Sequence, residues 1–253
     1  MAVALTRAVP ESLARCELTH LERQPIDIAR AEAQHDDYEA ALRSLGCTVR
    51  RAPSAHHLPD SVFVEDIALV LDDIAIITHP GAASRRPERE GIASVLSEYR
   101  TLAWIEPPAT IDGGDVLRVG KTLYVGLSTR TNDDGARALE RIGAPCGYTV
   151  KAIQTTKCLH LKSAVTAIDD RRLLCNPAWV DARLFDELDI LAVHADEPHA
   201  ANVLRVGNGM ICAAAHQRTN DLLRRHGYQV CAVDVSELAK AEAGVTCCSV
   251  IIT

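Results

Sequence analysis

Four segments of this sequence repeat one form, and that repeat restricts the fold more than any other feature. Each couples an apolar or alternating strand to a two-residue turn and a second strand of similar length, at 67–77, 115–125, 164–175 and 202–212. The turns are Asp72-Asp73, Gly120-Lys121, Asp169-Asp170 and Gly207-Asn208, in keeping with the Asp and Gly that two-residue hairpins favour. Val-Leu-Arg-Val-Gly occurs at 116–120 and again at 203–207, and Arg-Thr-Asn follows at 130–132 and 218–220, so the hairpins are copies of one unit.

Helix-like stretches at 135–143 and 220–227, each ending in Gly, precede β-branched strands, so the unit reads ββαβ. The strand-like ends of the chain, VALTRAV and SVIIT, have no hairpin partner of their own and are expected to pair with each other and close a fifth unit. No Pro/Gly/Ser-rich linker interrupts the series. The expectation is an α/β fold of five closed units in a single domain over residues 1–253, with an open α/β sandwich as the plainer alternative.

Composition removes several classes of function. No apolar run approaches the roughly 20 residues needed to span a bilayer, and no secretory signal pattern follows Met1, so a soluble, cytoplasmic protein without a membrane partner is expected. Nine irregularly spaced cysteines without a C-x-x-C pair suggest neither a disulfide framework nor a zinc ribbon. The net charge is −7 and no long Lys/Arg run occurs, which argues against nucleic acid and remains compatible with a small cationic substrate.

Radial repetition brings equivalent strand ends of distant units together around one axis. Polar residues recur at those places: Asp66, Asp115, His160, Asn202 and Cys247, at steps of 49, 45, 42 and 45 residues. Singly, each has a bland reading. His160 lies between two leucines as a buried structural histidine would, and Cys247-Cys248 sits in an apolar strand where cysteine is ordinarily a small hydrophobe. Together they supply thiol chemistry: a cysteine nucleophile, an imidazole to carry the proton, and Asp112 to orient the imidazole. Gly113 and Gly114 would let backbone and substrate approach closely. Glu65 and Asp66 could grip a cationic group, leaving Arg85 and Arg130 for a carboxylate at its other end.

These stretches, with CELTHLER (16–23), PDSVFVEDIAL (59–69), HPGAASRRPER (79–89), TIDGGDVLRVGKTLYVGLSTRTN (110–132), CLHLKSAVT (158–166) and TCCSVII (246–252), resemble the dimethylarginine dimethylaminohydrolases of the guanidine-modifying superfamily over nearly the whole chain. The resemblance implies a five-bladed α/β propeller, the pentein fold. It also implies a cofactor-free, metal-free hydrolase that converts methylated arginines to citrulline through a covalent Cys-thiouronium. On it, Cys247 is the nucleophile, His160 the acid/base and Asp112 the third catalytic group, at a place where some relatives carry Glu. Asp66 with Glu65 binds the guanidinium. Asp60 and the carbonyls of Leu18 and Ala241 hold the α-amine, Arg85 and Arg130 the α-carboxylate, and Phe63 packs along the stem. A transition metal at Cys247 and His160 would be inhibitory, and a homodimer is left open.

The nearest rival is an arginine deiminase, in which an Asp two residues beyond the histidine helps grip both bare guanidine nitrogens. Lys162 stands there in this chain, its amine expected to turn to solvent or to a nearby acid, which favours methylated substrates. A non-catalytic arginine-binding propeller would need no cysteine opposite a histidine.

Overall fold

The computed structural model describes residues 2–155, 157–185 and 187–253. Its strands form five three-stranded sheets built on one plan. In the first complete blade Ala68–Val70 pairs antiparallel with Ile74–Ile77, and Thr101–Trp104 returns to pair parallel with the second of these. The pattern recurs in Val116–Val119, Thr122–Leu127 and Thr149–Gln154, in Val165–Ala167, Arg172–Cys175 and Asp189–Ala192, and in Val203–Val206, Gly209–Ala213 and Gln229–Val233. The fifth sheet joins the chain ends: Val250–Ile252 runs antiparallel to Val3–Thr6, which takes Thr48–Arg51 in parallel. The expected closure of a five-bladed α/β propeller by terminal strands is thereby met.

Hydropathy explains which strand lies where. The middle strand of each sheet is paired on both edges and buried, so Ile74–Ile77 and Arg172–Cys175 read as nearly continuous apolar runs. The last strand of each blade is an exposed edge, and Thr48–Arg51 is correspondingly polar. Gly120 and Gly207 turn two of the hairpins at φ of +57° and +56°, a conformation that a side chain disfavours.

Two helical details differ from expectation. The helix Asp133–Gly143 ends at its glycine, but Gly143 stays right-handed at φ −80°; the chain continues through a 3-10 turn, Ala144–Cys146, and reverses only at Gly147 with φ +77°. The helix Ile28–Ser44, missed in the sequence reading, carried its own signals: Asp27 accepts from the Arg30 N–H as N-cap, and Gly46 follows its end at φ +90°.

What positions the site is a ring of short helical turns. Val64–Ile67, Gly113–Asp115 and Leu161–Ala164 each lead directly into the first strand of a blade, and the middle turn contacts the other two. The side chains of Asp66, Asp112 and His160 therefore meet although almost a hundred positions separate the first from the last.

Candidate active site

The pocket at this end of the ring is lined by Asp60, Phe63, Asp66, Arg85, Arg130, Leu159, His160, Ala241 and Cys247, together with Glu17, Glu242 and Ala243. Eight of the expected residues thus converge, and Asp112 lies directly behind His160. Leu18 falls on the adjoining chain segment, half-buried against the core of the closing blade.

His160 is held between two carboxylates. Its Nε2 lies 3.1 Å from Asp112 Oδ2 and its Nδ1 3.7 Å from Asp66 Oδ1. The aspartate at 112 therefore reaches the ring despite being a methylene shorter than glutamate. Its other oxygen accepts from the Gly81 N–H at 3.0 Å, which fixes the carboxylate from behind. Glycine at 114 is required by protein packing: a Cβ there would stand 2.6 Å from His160 Nδ1 and 2.8 Å from Asp66 Oδ1. At 113 a Cβ would meet the Glu65 carbonyl oxygen at 2.0 Å, so the glycines admit neighbouring turns rather than substrate.

The charges of the site follow from these contacts. Burial favours a neutral imidazole, but Asp66, the hydrogen bond to Asp112 and the charge of Asp115 prevail and raise the His160 pKa to about 9. Asp66, against the cost of its burial, is held at about 2 by His160 and Arg85. Burial pushes the Cys247 thiol up to about 12, Glu65 and Asp66 add to the rise, and the Gly244 N–H and Lys162 only partly offset it. With these shifts the imidazole is cationic and the thiol un-ionised near neutral pH. Because the folded chain raises the His160 pKa, the ring contributes stability that is complete below 6.5 and is lost as pH climbs through about 9. The urea midpoint is expected to fall over that window, and to fall less in His160→Gln; parallel slopes for the two proteins would show that the ring is not the group titrating.

Three expectations need correction. Glu65 does not stand beside Asp66 in the pocket: its Oε1 takes the Lys162 ammonium at 2.5 Å and its Oε2 the Thr246 hydroxyl at 2.7 Å, on the opposite, channel side of the ring. Lys162 accordingly turns to an acid, one of the two directions expected of it. Arg85 is more than a carboxylate ligand. Its Nη1 donates to Asp66 Oδ2 at 2.5 Å, its Nε and Nη2 bridge Glu88, and Nη2 also donates to the carbonyls of Asp60 and Phe63. It is buried, and it fastens Asp66 in place. Finally, the regular recurrence of polar residues mixes pocket groups with braces. Asp115 accepts from the Leu161 N–H and the hydroxyls of Ser128 and Thr131, while Asn202 donates to the Lys162 carbonyl and to Thr246 and accepts the Thr246 N–H.

Arg130 differs from Arg85, since its one side-chain hydrogen bond among the described residues is from Nη2 to Thr19 Oγ1 at 3.1 Å. Asp60 accepts the Glu17 N–H on both oxygens at 3.2 Å, and burial raises its pKa, Arg85 opposing. Sequence reasoning missed Glu17, Leu159, Glu242 and Ala243 as lining residues; their nearness to Leu18, His160 and Ala241 was the available signal. Asp66, Asp112 and His160 also bring three ligand atoms within 4.8 Å of one another, the arrangement that two carboxylates bracketing an imidazolium produce.

Comparison with known proteins agrees with this geometry. The family described as N,N dimethylarginine dimethylhydrolase, eukaryotic, matches residues 19–252. An N(G),N(G)-dimethylarginine dimethylaminohydrolase of Streptomyces coelicolor is 39% identical over 98% of this chain and 95% of its own, and one of Pseudomonas aeruginosa is 36% identical over 88% and 89%. The solved structure of a Cys-to-Ser mutant of the Pseudomonas enzyme complexed with citrulline superposes with a TM-score of 0.94 at 34% identity, covering 98% of both chains. The N-terminal domain of a cyanobacterial arginine dihydrolase shares the fold at a TM-score of 0.91 and 17% identity. With a thiol, a bracketed imidazole and a cation-binding carboxylate in one pocket, and with these identities over nearly its full length, this chain belongs to the dimethylarginine dimethylaminohydrolase family.

Proposed function

We propose that this chain, acting as one catalytic domain, hydrolyses asymmetric dimethylarginine and monomethylarginine to citrulline and the corresponding amine. The observation that carries the reading is the convergence of Cys247, His160 and Asp66 on a pocket that has Asp60 and Arg130 at hand for the two ends of an amino acid. Among the described residues no helix is long and apolar enough to cross a membrane. The small-molecule assignment is in accord with that.

The charges dictate the order of events. A thiol held near 12 cannot be the resting nucleophile at neutral pH, but a guanidinium seated on Asp66 brings positive charge next to Sγ and favours loss of its proton. That proton leaves to solvent water, since His160 is already charged, and the thiolate then adds to the guanidinium carbon. His160, charged and steadied by Asp112, gives its proton to the dimethylamine nitrogen as the C–N bond breaks, leaving an S-linked thiouronium on Cys247. The now neutral ring takes a proton from water, the hydroxide adds to the same carbon, and the C–S bond breaks to release citrulline and the thiol. Every step uses groups of this chain and water.

Measuring citrulline from purified protein with arginine, monomethylarginine and asymmetric dimethylarginine separately tests the reading. The methylated substrates are expected to react much faster, because Lys162, paired with Glu65, stands where a deiminase would present a second carboxylate to a bare guanidine nitrogen. Arginine reacting as fast as the dimethylated compound would favour the deiminase reading instead.

Arg130→Ala should raise KM by about 10- to 100-fold with kcat much less affected, the signature of a lost grip on a remote carboxylate. An unchanged KM would remove Arg130 from the site.

A further inference from the structure

Residues 17–25 form a strap without regular secondary structure, exposed at every position except the half-buried Leu18. With so little apolar surface buried, its position depends on polar anchors. Three of its anchors line the catalytic pocket, while Ser84, donating to Glu17 Oε1 at 2.6 Å, and Lys240, donating to the Pro25 carbonyl at 3.0 Å, hold it from outside. The Glu17 N–H lies on both oxygens of Asp60 at 3.2 Å, and Arg130 donates to Thr19 Oγ1 at 3.1 Å. Glu242 receives the most: its carboxylate accepts the Thr19 N–H on both oxygens at 3.0 Å, and its Oε1 accepts the N–H groups of His20 and Leu21 at 2.5 Å each.

Substrate disturbs these anchors unequally. On the functional reading above, Asp60 and Arg130 are the groups that take the α-amine and the α-carboxylate, so a bound amino acid competes with the strap for both. Glu242 has its oxygens committed to three successive backbone N–H groups, a concave donor array that suits one carboxylate and is strengthened by its charge. Of the three pocket-lining anchors it is the one that can hold residues 19–21 while the other two are given to substrate.

We propose that Glu242 is the latch of this strap, a positioning residue that keeps residues 17–21 over the pocket so that bound substrate is retained. It does no chemistry. Its peptide position supports a specific experiment, because Glu242 is the one non-glycine among the described residues with positive φ, at 59°. In that region L side chains are disfavoured and glycine is at ease. Glu242→Gly removes the carboxylate and relieves the backbone together, so loss of the latch need not be confused with loss of the fold.

The proposal rests on the functional reading for its kinetic arm alone; limited proteolysis supplies an arm that needs no substrate. Arg23 lies in the strap with its guanidinium on the carbonyls of Ala14 and Cys16, and trypsin is expected to cut after it faster when the strap lifts. In the full-length protein, Glu242→Gly is expected to keep or raise Tm, to be cut after Arg23 at least fivefold faster, and to raise KM for asymmetric dimethylarginine at least tenfold with kcat within threefold. Glu242→Gln, which keeps the shape and loses the charge, should move cleavage and KM in the same direction by a smaller factor. Cleavage and KM within twofold of wild type in both variants would overturn the latch. So would a fall in kcat matching the fall in kcat/KM at unchanged cleavage, which would place Glu242 in the chemistry. If wild-type protein leaves methylated arginine untouched, the functional reading falls and the cleavage rates still decide the latch.

Discussion

Cys247→Ser is expected to lower citrulline formation by on the order of 10⁴-fold or more, while Cys248→Ser retains substantial activity. The two neighbours differ in surroundings more than in chemistry. Cys247 faces the pocket that His160 and Asp66 share, and its sulfur accepts the Gly244 N–H at 3.4 Å. Cys248 is fully buried among Leu42, Val245 and other apolar side chains of the closing blade. A hydroxyl in the first place is too weak a nucleophile to add to the guanidinium carbon, whatever its geometry. In the second place it puts an oxygen into an apolar cluster, at a cost of about 1–3 kcal/mol of stability. Citrulline release and thermal unfolding, measured on both variants, separate the two effects. Equal loss of turnover in both well below their melting temperatures, or loss in the second alone, would overturn the assignment of Cys247.

Arg85→Ala should lower the unfolding free energy by about 3–5 kcal/mol, because it leaves charged partners buried without their counter-ion. Those partners are Asp66 and Glu88, and the carbonyls of Asp60 and Phe63 would lose a donor as well. Activity should fall steeply in the same variant, since Asp66 loses the cation that fixes it beside His160. The carboxylate-binding role expected of Arg85 from the sequence would instead raise KM far more than it lowers kcat, as for Arg130. Wild-type denaturant stability with only KM affected would restore that simpler role and refute the structural one.

The architecture was legible in the chain because its signals are local. Turn residues at 72–73, 120–121, 169–170 and 207–208, apolar middle strands and two unpaired terminal strands prescribe five hairpin-based units, and the propeller follows from closing them. The composition of the site was legible for a related reason. Residues at equivalent places in repeated units must meet near one axis, and Asp66, Asp112, His160 and Cys247 do. Direction was not legible. Glu65 and Asp66 are adjacent in one 3-10 turn, where successive side chains point about 120° apart. One therefore looks into the pocket and the other toward Lys162 and Thr246 on the far side of the ring. Cys247 and Cys248 divide likewise between pocket and core, and Arg85 and Arg130 between a pillar and a ligand. The sequence by itself determined which chemical groups are present and that repetition would gather them. Only the packing of one blade's turn against the next decided which atoms face substrate, because that choice depends on side-chain direction and on partners about 20 to 180 residues away.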